Sequence, residues 1–138
     1  MASGTRVEDV VARGMAALAE RDWATVRTLM APDIAWEVPG RSPLAGVLVG
    51  VDAVIDRWRR AADAVAAAGD RPPRTVGVLR SDTGFAIVQR NAFFIGDTWR
   101  EITAITLLDV VDGRLTRIQT FVSDQYAVDE YWSRLNLR

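Results

Sequence analysis

The feature that most constrains the fold is a change in the spacing of apolar residues at about Arg74. From there apolar and polar residues alternate in four runs, residues 74–80, 84–95, 98–111 and 114–123. Ser-Asp-Thr-Gly, Gly-Asp and Val-Asp-Gly-Arg separate the runs and are typical of hairpin turns. Because a period of two places successive side chains on opposite faces of a sheet, this half of the chain predicts a meander of four antiparallel strands.

Before Arg74 the apolar residues recur at helical spacing. Thr5 and Glu8 form a capping-box pattern, and the first helix should extend to about Glu20. Its apolar face contains Val7, Val10, Val11, Met15 and Leu18.

Two further helices are predicted before the meander. Asp22 is placed to cap a short helix that runs through Met30, and Pro32 helps to end it. A short strand over residues 33–38 and a loop rich in proline and glycine follow. Asp52 is then placed to start a helix that Gly69 closes.

Helical segments followed by a strand meander indicate an α+β fold, in which one face of the sheet lies under the helices. The chain has 138 residues, 49% of them hydrophobic, which is enough for one core. We therefore expect a single domain over residues 1–138.

The composition excludes several kinds of chemistry. The chain has no Cys, no His and no Lys, since all 17 of its basic residues are Arg. A Ser-His-Asp triad, a cysteine nucleophile, a lysine Schiff base and zinc held by His or Cys are therefore impossible within one chain. Proton transfer must fall to Asp, Glu, Tyr or a water that they orient, and we expect no metal and no cofactor.

Charge and hydropathy give little reason to expect a macromolecular anion or a membrane as partner. The net charge is −1, and arginine is nowhere concentrated without acidic residues. No apolar run approaches the roughly 20 residues that a bilayer requires, and no signal peptide pattern is present. We expect no nucleic acid partner, no membrane association and a cytoplasmic location.

Three stretches point to a known family: WEVPGRSPLAG from Trp36, VDGRLTRI from Val111 and DQYAVDEYW from Asp124. Together with the order of elements, they resemble the SnoaL-like branch of the nuclear transport factor 2 superfamily. The resemblance implies a cystatin-like cone, in which a curved antiparallel sheet and three N-terminal helices enclose an apolar pocket. It also implies a homodimer through the outer face of the sheet, which fits the apolar residues on both faces of the meander strands.

The catalytic residues of two well-known reactions of the superfamily are not all present in this sequence. On the ketosteroid isomerase pattern, Gly14 and Val38 stand in the places of the tyrosine and the aspartate base. On the limonene-type epoxide hydrolase pattern, Arg90 survives, but Ala92 and Thr120 stand where the aspartates belong. Both mechanisms are therefore disfavoured, and a fold does not by itself determine an activity.

By family register, the last strand directs Asp124 toward the pocket, so Asp124 is the best available general base. Arg90, in an otherwise apolar strand, is the matching stabiliser of developing negative charge. Each has an alternative role: Asp124 can cap the helix that follows, and Arg90 can pair with Glu101 or lie at the sheet edge. The substrate-binding walls are predicted to be Trp36, Val38, Trp58, Phe94, Thr120 and Val122.

The sequence leaves open which way several side chains face. Glu37 should lie opposite Trp36 and Val38, paired or solvated, unless a bulge intervenes. Glu101 and Thr103 alternate with Ile102 and its neighbours, and the residues alone do not decide which set faces inward. The terminal run around Tyr126 is interpreted as a helix that packs on the core or covers the pocket mouth. Two turn aspartates, Asp109 and Asp112, are a weak candidate for a divalent ion.

Two functions are compatible with this sequence. The first is a cofactor-independent isomerase or cyclase of polyketide or terpenoid type, which acts by acid/base catalysis on a hydrophobic small molecule. The second is a non-catalytic ligand-binding or scaffolding module of the same fold. Epoxide hydrolysis ranks below both because its aspartates are missing.

Overall fold

The computed structural model describes residues 7–135, which contain four helices and six strands, and all of them except one four-residue strand follow the predicted order. Thr5 of the predicted capping box lies outside these residues. The helices are α1 Val7–Ala19, α2 Trp23–Thr28, α3 Val51–Ala67 and α4 Gln125–Arg134. The strands are β1 Met30–Val38, β2 Gly46–Val49, β3 Arg74–Arg80, β4 Gly84–Ile95, β5 Thr98–Val111 and β6 Arg114–Val122.

All six strands form one sheet in the order β2-β1-β6-β5-β4-β3. The predicted meander is confirmed, since three of its four strands have the expected bounds and β6 ends one residue early. The turn between β5 and β6 consists of Asp112 and Gly113, both with positive φ, as two-residue hairpins favour. Strand β1 joins β6 in parallel, so the sheet is mixed and not purely antiparallel.

The helices cover one face of the sheet, which we call the inner face; the opposite face is the outer face. In β5 the buried residues are Ile102, Ala104, Leu108 and Val110, whereas Ile105 and Leu107 are exposed. Helices α1 and α3 contribute buried valine and isoleucine residues to the core on the inner face. This arrangement confirms the expected α+β fold. No helix within residues 7–135 is both long enough and apolar enough to cross a bilayer.

The junction of α2 and β1 differs from the prediction. Helix α2 begins after Asp22, whose side chain accepts the predicted capping bond from the Thr25 amide, but it ends at Thr28 and Met30 already belongs to β1. Pro32 therefore lies inside a strand. A proline is tolerated there because the β1–β6 register shifts between Met30 and Ala35, where no regular ladder bond is lost.

Two features near α3 also differ. The four-residue strand β2 was not predicted, because Gly46–Val49 is too short to show a period. Helix α3 starts at Val51 with Gly50 at its N-cap, and Asp52 in the first turn pairs with Arg27 instead of capping. Gly69 does close α3: its amide and that of Asp70 bond the carbonyls of the last helical turn.

A network of hydrogen bonds joins the loop after β1 to α4. The Oδ1 atom of Asp129 accepts from the amides of Arg41 and Ser42 at 3.0 and 3.2 Å, and from Gln125 Nε2 at 3.0 Å. Gln125 Nε2 also donates to the Pro39 carbonyl at 3.3 Å. The rim loop over residues 39–45 is thereby tied to the C-terminal helix.

Gly40 makes this close approach possible. Its φ is +98°, and a Cβ at this position would overlap Asp129 Oδ1 and Gln125 Nε2. Gly40→Ala should lower the free energy of unfolding by about 2 kcal/mol or more, because it adds backbone strain and breaks the network. Chemical denaturation measures the change.

Gly46→Ala is the matched control, since Gly46 also has positive φ but open space around its Cβ. It should cost only the backbone strain of about 1 kcal/mol. Equal losses for the two variants would contradict the role given to the network.

Candidate functional site

The inner face carries two apolar clusters with a polar stretch between them. The larger core includes Ile87, Leu108 and Ile118, whereas the smaller core consists of Phe93, Ile102, Ala127 and Tyr131. By strand pairing, four polar side chains lie between these clusters on the same face of three adjacent strands. This polar band consists of Gln89 and Asn91 of β4, Thr106 of β5 and Thr120 of β6.

The hydrogen bonding of the band is incomplete. Trp36 Nε1 donates to Thr120 Oγ1 at 3.1 Å, and Gln89 Nε2 donates to Thr75 Oγ1 at 3.4 Å. The Oδ1 atom of Asn91 is buried and has no hydrogen-bond partner among the described residues. Because buried polar atoms are almost always paired, Asn91 marks the band as a place where a further group can bind.

Aromatic side chains adjoin the band. The rings of Trp36 and Trp58 have centroids 5.8 Å apart, and Phe93 stacks on Tyr131 at 4.4 Å. Trp132 packs against both clusters. The inner face therefore combines flat apolar surfaces with a few neutral donors and acceptors, which is typical of sites for small organic molecules.

Most of the predicted wall residues lie on this face. Trp36 is buried in the larger core, and Val38 and Trp58 pack against it. Thr120 belongs to the band, and Val122 packs against the smaller core.

Arg90 and Phe94 lie on the outer face, which corrects their predicted placement inside the cone. Arg90 is the ladder partner of Thr103 on β5. Its Nη1 atom is 3.4 Å from Glu101 Oε1, and the side chains of Arg90 and Glu101 are each about half exposed. Phe94 is exposed and packs edge-on against Trp99. The physical reason is strand parity, because Arg90 and Phe94 alternate with the buried set that includes Phe93.

Asp124 lies at the N-cap of α4, which was the alternative role expected for it. Its Oδ1 atom accepts from the Ala127 amide at 3.0 Å. The same residue lines a depression of about 270 Å³, together with Arg100, Tyr126 and Glu130 among others. This depression lies where α4 meets the β4–β5 hairpin, and no residue of the polar band lines it.

The orientations left open by the sequence are resolved. Ile102, Ala104 and Thr106 face inward, so Glu101 and Thr103 face outward. Glu37 is also on the outer face, where Gln119 Nε2 donates to it at 2.7 Å and Arg117 Nη2 at 3.1 Å. These donors hold the pKa of Glu37 below its usual range, with the Gln119 bond the largest cause.

Two aspartates lie near the β5–β6 turn. Asp109 pairs across the ladder with Arg117, and Asp112 occupies the tight turn. Within residues 7–135 no group of three or more His, Cys, Asp or Glu side chains is arranged to hold a metal ion.

Three residues of the band, Gln89, Asn91 and Thr106, were missed by the sequence reasoning. Their signal is present in the run AIVQRNAFF, where two amides two positions apart share one face of an otherwise apolar strand. Arg90 lies between them and was chosen instead, because it keeps the arginine of the epoxide hydrolase pattern in an otherwise apolar strand.

Comparison with known proteins identifies the family of the chain. Residues 11–118 match the model of the SnoaL-like domain family. The chain belongs to this family. An uncharacterized protein of Mycobacterium tuberculosis is 34% identical over 128 residues, which cover 91% of this chain and 95% of that protein.

Solved structures show the same SnoaL-like fold. Bal32a, from a soil-derived mobile gene cassette, has 28% identity and a TM-score of 0.77, over 91% of this chain and 95% of its own. TerC, co-crystallized with polyporic acid, has 16% identity and a TM-score of 0.71, over 91% and 97% of the two chains. The second likeness is one of fold alone.

Tyr126 and Tyr131, the two tyrosines of α4, differ sharply. Tyr126 is 91% exposed, whereas Tyr131 is buried and its hydroxyl donates to Asp70 Oδ2 at 2.7 Å. Burial raises the pKa of Tyr131 well above its usual value of 10, and the Asp70 carboxylate adds to the shift.

A raised pKa in the folded state means that the stabilising proton is present below pH 10 and is lost as the pH rises further. The free energy of unfolding should therefore fall as the pH rises above 10, and Tyr131→Phe should flatten this dependence. Urea titrations at several pH values measure it. Tyr126→Phe is the control and should keep the wild-type slope; a Tyr131→Phe protein that keeps it as well would refute this account.

Proposed function

We propose that the protein binds a small, flat, largely apolar molecule on the inner face of its sheet, at the polar band. The observation that carries the proposal is the buried, unpartnered Oδ1 atom of Asn91 between two apolar clusters. Aromatic rings such as those of Trp36 and Trp58 favour a planar or polycyclic ligand of polyketide or terpenoid type. TerC, which has the same fold, was co-crystallized with a small organic molecule, polyporic acid.

The chemistry of the band favours binding over proton transfer. Its members are two amides and two hydroxyls, and none of these changes protonation near neutral pH. Such groups orient a ligand and stabilise partial charges, but they do not act as a general base. We therefore place the ligand-binding module ahead of the isomerase or cyclase.

Thr106→Val tests the binding proposal because it removes one hydroxyl of the band at almost constant shape. The affinity for the probe 2-naphthol, measured by isothermal titration calorimetry, should fall about fivefold, the value of one lost hydrogen bond. Thr103→Val, three residues away on the outer face, should bind as the wild type does. Equal affinities for all three proteins would contradict binding at the band.

Isomerisation or cyclisation with Asp124 as base is the second candidate. It is supported by the position of Asp124 in the depression beside Arg100, which offers a cation near the carboxylate. On this mechanism Asp124→Asn loses about 10²- to 10⁴-fold in turnover of a biosynthetic substrate while ligand affinity stays similar. Full activity of that variant would remove the candidate.

We also propose that the protein is a homodimer through the outer face of its sheet. Exposed apolar side chains are concentrated there, and a monomer would leave them in water. Ile105 and Phe121 are cross-strand partners near the middle of the face, with Leu107 next to them. An apolar patch of this kind can pair with its own copy about a twofold axis.

Phe121→Asp should therefore convert a dimer into a monomer, because two carboxylates would meet apolar surface across the axis. Light scattering during size-exclusion chromatography should give twice the 15.2 kDa chain mass for the wild type and a single chain mass for the variant. Tyr126→Asp, an exposed aromatic residue off the sheet, should remain dimeric. A wild-type protein of one chain mass at micromolar concentration would contradict the proposal.

A further inference from the structure

Among the described residues, the polar band has one buried side-chain atom without a hydrogen-bond partner, the Oδ1 of Asn91. A carbonyl oxygen can only accept a hydrogen bond, so the missing group is a donor. We propose that Asn91 determines specificity: it selects ligands that present an O–H or N–H group at this point of an otherwise apolar body. The inference rests on the proposed binding function and specifies what the ligand must carry.

The surroundings of Asn91 explain why the donor must come from outside. Asn91 lies opposite Ile102 on β5, and on its own strand Gln89 and Phe93 are its neighbours on the inner face. Ile102 and Phe93 have no polar side-chain atoms, and Gln89 donates to Thr75 instead. A buried water is usually held by two or more polar partners, so these apolar neighbours favour a ligand group over a water.

The same surroundings define the rest of the ligand. Phe93 and Ile102 belong to the smaller core, and Trp132 packs against both clusters. A ligand whose donor reaches Asn91 therefore places its remaining atoms against apolar and aromatic side chains. A hydroxyl on an aromatic ring satisfies both requirements, whereas an ether at the same ring position fills the space and cannot donate.

The test compares 2-naphthol with 2-methoxynaphthalene, which share one ring system and differ in the donor. Calorimetry on the full chain should show about tenfold tighter binding of 2-naphthol to the wild type. In Asn91→Leu the two affinities should come within about twofold of each other. Gln119→Leu removes an amide from the outer face of the same sheet and should keep the wild-type preference.

A second readout separates a specificity role from a structural one. If the unpartnered Asn91 carbonyl is held for a ligand, Asn91→Leu should raise Tm by about 3 °C or more, because a buried acceptor without a partner destabilises the fold. Asn91→Ala serves in its place if the leucine variant does not fold. A fall in Tm together with loss of both ligands would assign Asn91 to the core and overturn the inference.

The remaining outcomes separate a failure of this inference from a failure of the proposed binding function. If the wild type binds both compounds equally well, binding to the apolar surface stands and the role of Asn91 is refuted. If the preference for 2-naphthol persists in Asn91→Leu, another group recognises the donor and the inference is again refuted. If neither compound binds, the proposed function fails and the inference fails with it.

Discussion

The pairing of β4 with β5 is the constraint on which the rest of the structure depends. Twelve consecutive residue pairs join these strands without a bulge, from Gly84 opposite Asp109 to Ile95 opposite Thr98. A slip of one residue would move every side chain of the hairpin to the opposite face. This register places Asn91 inside and Arg90 outside, so it determines which chemistry the inner face can offer.

The two faces of the sheet have different characters as a consequence. Between the clusters that bury Phe93 and Ile118, the inner face carries the four neutral side chains of the polar band. The outer face carries the ion pairs Arg90–Glu101 and Arg117–Glu37 among exposed apolar side chains. The inner face thus suits a small uncharged molecule, whereas the outer face suits a second protein surface with polar groups at defined positions.

Much of the fold was predictable, because strong local signals agreed with the tertiary structure. Alternation over residues 84–95 and 98–111 and the Asp112-Gly113 turn determined strand bounds and register. Strand β2 was not predictable, because four residues are too few to show a period. The place of Pro32 inside β1 was not predictable either, because a proline is tolerated there only through the way β1 pairs with a distant strand. In the site, Trp36 and Thr120 were placed by family register, whereas Arg90 was chosen because it keeps the arginine of the epoxide hydrolase pattern in an otherwise apolar strand. Strand parity on β4 decides between Arg90 and Asn91, because adjacent residues of a strand face opposite sides of the sheet.

The central claim is that a ligand binds at the neutral polar band of the inner face and not at the depression beside Asp124. The most direct measurement is a titration of isotope-labelled protein with 2-naphthol, followed by two-dimensional NMR of backbone and side-chain amides. The account predicts that the largest shift changes fall on Gln89, Asn91, Thr106 and the Trp36 indole N–H. Changes concentrated on Arg100, Asp124 and Glu130, with the band unaffected, would contradict it.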